Sequence, residues 1–308
     1  KRMSHPNKDS YSNFVESLAL FNKSPDVLIK RIKIAFKRSG INGELPKVEF
    51  KNHHESHVAS VFFPSMQESA LTFVIDGSGE EMATSVWKCK RNKLPELIDI
   101  FELPDSLGYF YGAITEYLGF SIFTGEGKVM GMAPYGKPNK FIRNKLKEFL
   151  FLDDQKKYVL DPKYIYFGPR STSFKHTDLL SNLLNKQPRV PESKIDQIYL
   201  DIAYETQSLL EKTVSSIVLK YIKKTGINNI CISGGVANNC KMNGLISSLP
   251  EVDNCFVLPT SADNGVSFGS AILHVAQVDP KSKVLNKTFT PYLGPSFSSD
   301  TILETLKE

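Results

Sequence analysis

The apolar positions follow two rhythms that alternate from one end of the chain to the other, and this alternation predicts a mixed α/β fold. "DVLIKRIKIAFKRSG" (26–40) repeats apolar residues at helical spacing and stops on Gly40, so a helix is expected there. "KVEFKN" alternates like a short strand, and "HHESHVASVFFPS" has helical periodicity until Pro64 closes it. "ALTFVIDGSGEEMATSVWKCK" predicts a buried strand over 70–75 that runs into Asp-Gly-Ser-Gly and returns as a second strand, a tight hairpin. "SLGYFYGAITEYLGF" (106–120) predicts a helix with an aromatic face, and "TGEGKVMGMAPYGKP" a glycine-punctuated loop after it. Residues 151–193, rich in Lys, Ser, Asn and Pro and without firm periodicity, read as an irregular insertion. From Ser193 to Lys224 the spacing predicts a central helix of up to about 30 residues. The chain then reads strand, double glycine, helix ("INNICISGGVANNCKMNGLISSL") and strand, loop, helix ("CFVLPTSADNGVSFGSAILHVAQ").

Length adds a domain count: 308 residues are about twice the usual domain, so two lobes are expected. With 41% apolar and 23% charged residues the composition is ordinary globular, which argues against long disorder. The net charge of +5, from 38 basic and 33 acidic residues spread along the chain, suits any anionic ligand without choosing one. The four cysteines form no CxxC pair. Cys231, Cys240 and Cys255 fall in apolar or glycine-rich stretches and read as buried thiols, so a reducing, cytoplasmic home is expected. No apolar run approaches the roughly 18 residues of a membrane span, so no membrane role is expected. The chain opens at Lys1 and stops at Glu308 inside a helical pattern, and is expected to be part of something longer.

Candidate chemistry starts with "HHESH". Residues four apart share a helix face, so His53 and His57 can grip one cation while His54 points elsewhere. This is one residue short of the HExxH of zinc peptidases, so Glu55 is not placed as their general base. The same pair also suits solvated or core histidines at a helix start. "VIDGSGE" carries Asp76 at a strand end, with Gly77 and Gly79 able to let backbone N–H groups approach a phosphate; an ordinary Asp-Gly turn reads the same way. "CISGGVANN" ends a strand on Gly234 and Gly235 just before a helix, where an anion could sit at the helix start. It is neither a GK[ST] phosphate loop nor GxGxxG, and a plain β-α turn fits it too. Asp263 in "PTSADNG" alone would be a helix cap. Lys128 lies among glycines in "GEGKVMGMAPYG", a weak signal for a cationic arm.

Taken in order, these stretches resemble the carbamoyltransferase family of antibiotic and nodulation-factor biosynthesis, the NodU and CmcH type, over about residues 1–298. The matching motifs are the histidine cluster, DGxGE (Asp76 to Glu80), SLGxxYxxxTxxLGF (Ser106 to Phe120), GExKxMGxAxYG (Gly125 to Gly136), SGGVAxNxxxNG (Ser233 to Gly244) and a late DxG (Asp263 to Gly265). The resemblance implies an actin-like ATPase fold with two ribonuclease-H-like lobes, N-terminally truncated, related to the proteins that place threonylcarbamoyl groups on tRNA. In this reading residues 1–66 are the remainder of the first lobe, 67–290 the second lobe with the nucleotide motifs, and 291–308 a linker toward a missing YrdC-like domain. The implied activity is O-carbamoyl transfer from a carbamoyl-adenylate, made by that YrdC-like domain from carbamoyl phosphate and ATP, to a hydroxyl of a small-molecule natural product or sugar.

The resemblance also implies a metal, iron in the member types, on His53, His57 and Asp263 with Asp76 completing the shell. Gly77, Gly79, Gly234, Gly235 and Asn239 would hold the nucleotide beside Asp76, with Lys128 and Gly131 near the transferred group. Asp76 and Lys128 would serve the catalytic step. The chain departs from the family's pattern at both ends. "KRMSHPNKD" (1–9) resembles the tail of the family's "EERFSRIKH" segment, so the first phosphate loop and a substrate-side histidine and aspartate are expected to lie upstream. That leaves the general base in doubt, with His54 a weak substitute. Rival readings are a tRNA threonylcarbamoyl transferase, which would need a basic, aromatic-bearing RNA surface, and a non-catalytic nucleotide-binding domain or sugar kinase of the same fold. The dispersed charge and the "GEGKVMGMAPYG" signature favour a small-molecule acceptor over nucleic acid.

Overall fold

A computed structural model describes residues 25–41, 43–167, 175–287, 290, 292 and 294–307. Helix α1 (Pro25–Arg38) begins on a proline, carries Asp26 in its first turn and Lys37 and Arg38 in its last, and buries none of its residues. Helix α2 (His53–Phe62) is capped by Asn52, whose side chain accepts the Glu55 N–H at 3.1 Å. Then come β1 (Ser69–Gly79), β2 (Met82–Lys90), β3 (Glu96–Glu102), α3 (Leu107–Tyr117), α4 (Glu126–Met132) and α5 (Lys140–Phe149). A short ladder of β4 (Leu150–Leu152) and β5 (Tyr158–Leu160) leads to α6 (Asp178–Leu184) and α7 (Gln197–Thr225). The chain closes with β6 (Asn229–Ser233), α8 (Cys240–Ser247), β7 (Asn254–Val257), α9 (Val266–Val278) and α10 (Ser299–Thr305).

The main sheet has the order β3-β2-β1-β6-β7. Strand β2 runs antiparallel to both neighbours, while β1, β6 and β7 run parallel, which is the ribonuclease-H-like arrangement the resemblance implies. Successive residues of β1 point to opposite faces. Leu71, Phe73 and Ile75 pack with Phe110, Ile114, Leu146, Val214 and Val218 of α3, α5 and α7. Ala70 and Val74 join Val58, Val61, Phe62 and Leu273 of α2 and α9 on the other face. Helix α2, expected to go with the first lobe, thus lies on this sheet beside α9. Among the described residues no helix is long and apolar enough to cross a membrane.

Several local expectations change. "KVEFKN" pairs with no strand among the described residues: Glu49 reaches Lys47 and Lys51 at the surface, and Phe50 is exposed. The Asp-Gly-Ser-Gly stretch is not the hairpin turn but the bulged end of β1, and Glu80, with φ +61°, makes the turn instead. The "GEGKVMGM" loop is the helix α4. A short 3-10 turn starts at Gly235, and α8 begins only at Cys240, where Asn239 caps it by accepting the Met242 N–H at 3.0 Å. Within the 151–193 insertion, whose residues 168–174 lie outside the described ones, Tyr158 is buried, stacks on Phe101 (4.5 Å between centroids) and donates to Thr84 Oγ1 at 2.8 Å. Of the thiols read as buried, only Cys231 is fully so; Cys240 is exposed and Cys255 half-buried. The segment 1–9 lies outside the described residues.

Candidate metal centre

Because β1, β6 and β7 are parallel neighbours, their carboxyl ends open on the same edge of the sheet, and α2 starts above it. Asp76 comes from the end of β1, His53 and His57 from one face of α2, and Asp263 from a 3-10 turn just before α9. His53 Nε2 and His57 Nε2 are 3.2 Å apart. Asp76 Oδ2 lies 3.2 Å from the first and 3.4 Å from the second, and Asp263 Oδ1 lies 3.5 Å from each. One ligand atom from each of the four residues lies within 4.8 Å of every other.

These spacings fit an ion. Ligand bonds of about 2.1 Å in a tetrahedron put neighbouring donors about 3.4 Å apart, close to the 3.2–3.5 Å separations observed. Two imidazole nitrogens and two carboxylate oxygens suit a divalent first-row metal.

The surroundings aim each donor. Asp76 Oδ1 accepts the Gly77 N–H at 2.7 Å and the Gly235 N–H at 3.2 Å, which turns Oδ2 toward the histidines. Ser233 Oγ donates to the Ser261 carbonyl at 3.1 Å, so its lone pairs take the His57 Nδ1 proton at 3.1 Å. That network assigns the proton to Nδ1 and leaves the His57 Nε2 lone pair facing the centre. Asn52 Nδ2 donates to Glu80 Oε2 at 2.8 Å, tying the cap of α2 to the β1–β2 turn. Gly79 lets that strand press on the histidines, since a Cβ there would lie 2.5 Å from His54 Cδ2 and would overlap the His53 ring as well.

In the metal-free protein the cluster holds protons and charge in opposition. Burial pulls the His53 pKa down, but hydrogen bonds to Asp263 and Asp76 outweigh it and raise it to about 9. His57 shifts up under the same opposed influences. Burial alone would raise Asp76; the two imidazoles and the Gly77 N–H hold it far below the usual carboxylate range. The same imidazoles hold Asp263 low.

The remaining expected site residues are arranged differently. His54 is fully buried, with Nδ1 2.6 Å from Ser85 Oγ, which also accepts the Trp87 indole N–H at 2.7 Å. Burial drives its pKa down to about 3, and its ring centre is 6.5 Å from that of His57. His54, expected as a weak substitute for the base, is thus packed under the hairpin, where burial favours its neutral form. The Gly77 and Gly235 amides, expected to meet a phosphate, bond Asp76, and the Gly234 N–H bonds the Ser261 carbonyl at 2.8 Å. Gly234 sits at φ +93°, where any Cβ would strike the Ile75 carbonyl on the neighbouring strand.

Asn239 is likewise engaged within the fold, its amide paired both ways with Gln207 of α7 at 2.8 and 2.9 Å while it caps α8. Lys128 and Gly131 lie exposed on α4, the ammonium 5.5 Å from the centre of the Phe120 ring. Among the described residues no hydrogen bond or ion pair joins either of them to the histidines. Sequence reasoning missed Ser233 as a positioning group, although it stands next to Gly234, and missed Gln207, which no local pattern marks.

Comparison with known proteins bears on this geometry. The profile of the family described as "Carbamoyltransferase N-terminus" matches residues 5–272. The chain is similar to the protein sll1178 of Synechocystis sp., 35% identical over 269 residues that span 86% of this chain and 43% of the other. It is also similar to nodulation protein NolO of Bradyrhizobium diazoefficiens, 32% identical over 246 residues, covering 79% of this chain and 42% of that one. The crystal structure of T. kodakarensis HypF aligns with 83% of this chain and 40% of its own, at 17% identity and a TM-score of 0.40. The chain thus spans less than half the length of these relatives.

Proposed function

The chain belongs to the carbamoyltransferase family, and from that premise we propose that it transfers a carbamoyl group from a carbamoyl-adenylate to a hydroxyl of a small molecule, with a divalent cation, iron by choice, held by His53, His57, Asp76 and Asp263. The observation that carries the reading is the convergence of those four donors at ligand spacing. In the reaction the acceptor oxygen forms a bond to the carbamoyl carbon, the carbon–oxygen bond to the adenylate phosphate breaks, AMP leaves with the electron pair, and the hydroxyl proton is released.

A cation bound here would act as a Lewis acid toward the phosphate or carbamoyl oxygen, an effect worth several kcal/mol of charge stabilisation. The chain's own residues supply position. The Gly77 and Gly235 amides hold Asp76 in one rotamer, Ser233 fixes the His57 tautomer, and the packing of α2 on β1 keeps both rings at the sheet edge. Holding donor and alcohol together accounts for a further share of the rate. In this proposal the adenylate comes from a YrdC-like domain of the same polypeptide, and the protein works in the cytoplasm.

The test gives the intact protein carbamoyl phosphate, ATP and a panel of hydroxylated acceptors and looks by mass spectrometry for a product heavier by CONH. His57→Ala is expected to abolish transfer while adenylate formation persists. A variant that transfers at the normal rate would remove the cluster from the mechanism.

A further inference from the structure

Lys175 is 3% exposed, yet no motif includes it. Its backbone N–H bonds Glu116 Oε2 at 2.8 Å, at the C-terminal end of α3. From there the side chain runs back along one face of the helix. A Cβ on Gly112 would lie 3.8 Å from Lys175 Cγ, and Nζ ends 3.5 Å from the centre of the Tyr109 ring. Residues 109, 112 and 116 follow helical spacing, so Gly112 is the groove in which the lysine stem lies.

The ammonium is thereby delivered to the first turn of α3. That turn is wedged against the end of β1: a Cβ on Gly108 would lie 2.7 Å from the Gly77 Cα, Ser106 Oγ donates to the Gly77 carbonyl at 2.6 Å, and Tyr109 Oη pairs with Ser78 Oγ at 2.8 Å. Gly77 follows Asp76 of the metal cluster directly. Glu116 does not neutralise the ammonium at short range, because its carboxylate meets the Lys175 and His176 backbone N–H groups and lies 2.6 Å from His176 Nδ1. Seven residues of helix, about 10 Å of rise, separate positions 116 and 109. Among the described residues Nζ forms no hydrogen bond or ion pair, and the carboxylate on the same groove, Glu126 Oε1 at 3.9 Å from the Gly112 Cβ position, accepts the Phe123 N–H. Burial lowers the Lys175 pKa to about 8 against the weaker pull of Glu116, so the group is still mostly cationic at neutral pH. A buried cation that, among the described residues, rests on an aromatic face and has no bonded counter-ion is stabilised when an anion joins it.

We propose that Lys175 is the residue that grips the phosphate of the donor nucleotide, taking it as counter-charge beside the Gly77–Ser78 turn next to the metal cluster. This rests on the carbamoyl-adenylate reading above and assigns that donor's anion a specific partner. Lys175 then fixes where the leaving phosphate sits relative to the cation ligands.

The test measures binding of AMP and of adenosine to the intact protein by calorimetry, in the wild type, Lys175→Met and Lys175→Arg, with bound metal determined in each. The proposal predicts that Lys175→Met weakens AMP about tenfold or more, that Lys175→Arg retains most of the affinity, and that adenosine affinity and metal content are the same in all three. AMP affinity within about twofold of wild type in a folded Lys175→Met would overturn it and leave the function reading standing. A wild type that binds no AMP would overturn both. Should Lys175→Met fail to fold, acetylation of the wild-type protein decides: AMP must slow modification of Lys175 and adenosine must not. Equal rates with the two would count against the proposal.

Discussion

The Asp76–Gly79 segment and the Gly125–Gly136 segment both read as glycine-rich approaches to an anion, but they meet very different surroundings. At the first, Gly79 lies against two histidine rings and Gly77 against the start of α3, and across the strand gap Gly234 fits under the Ile75 carbonyl. Absent side chains there are a condition of close approach. In the second, the end glycines are tightly placed too, Gly125 against Phe120 and the Ser121 carbonyl and Gly136 against the Leu200 carbonyl, but within α4 nothing lies within 4 Å of where a Cβ would stand on Gly127 or Gly131, and both are exposed. The same residue type therefore marks a built centre in one place and, between the packed ends of the other segment, an open helix surface.

The sharpest way to break that contrast is Gly234→Ala. Positive φ and backbone overlap act together, and a loss of about 3 kcal/mol or more in urea-unfolding stability is expected. A change under about 1 kcal/mol would show that the strand ends are not locked as described. Ser233→Ala follows in size. It leaves both metal-facing nitrogens in place but frees the His57 ring, so metal affinity should fall about 10–100-fold with the fold retained, measured by competition with a chelator.

The pH dependence of the metal-free protein comes next. His53 has a folded pKa of about 9 against an ordinary value of 6.5, so it binds its proton more tightly when folded. Its contribution is therefore complete below about pH 6.5 and is lost as pH rises through about 9. Denaturant midpoints measured across that window should decline, and saturating divalent metal should remove the decline. Gly131→Ala is the smallest effect and has the opposite sign. A helical, unobstructed position should gain up to about 1 kcal/mol; a large loss of transfer with that gain would show that a ligand approaches the α4 backbone there.

Much of the centre was legible because its parts are local. Four-residue spacing put His53 and His57 on one face, and a buried strand ending in Asp76 marked the sheet edge. Asp263 was legible only through the order of motifs, since alone it resembles any residue before a helix. Its position depends on three strands from distant parts of the chain lying parallel, which no local pattern encodes. The same limit hid the Gln207–Asn239 pair and the groove at Gly112 that holds Lys175. "KVEFKN" went the other way: its alternation is real, but a strand also needs a neighbour, and among the described residues none lies beside it.

The central claim is that His53, His57, Asp76 and Asp263 hold one ion together, and titration of the stripped protein with Mn2+ or Fe2+, with the endpoint read as metal per chain, tests it most directly. The account predicts one tightly held equivalent in the wild type and none at the same concentrations in His57→Ala. A wild type with no stoichiometric site, or a variant that binds as tightly, would contradict it.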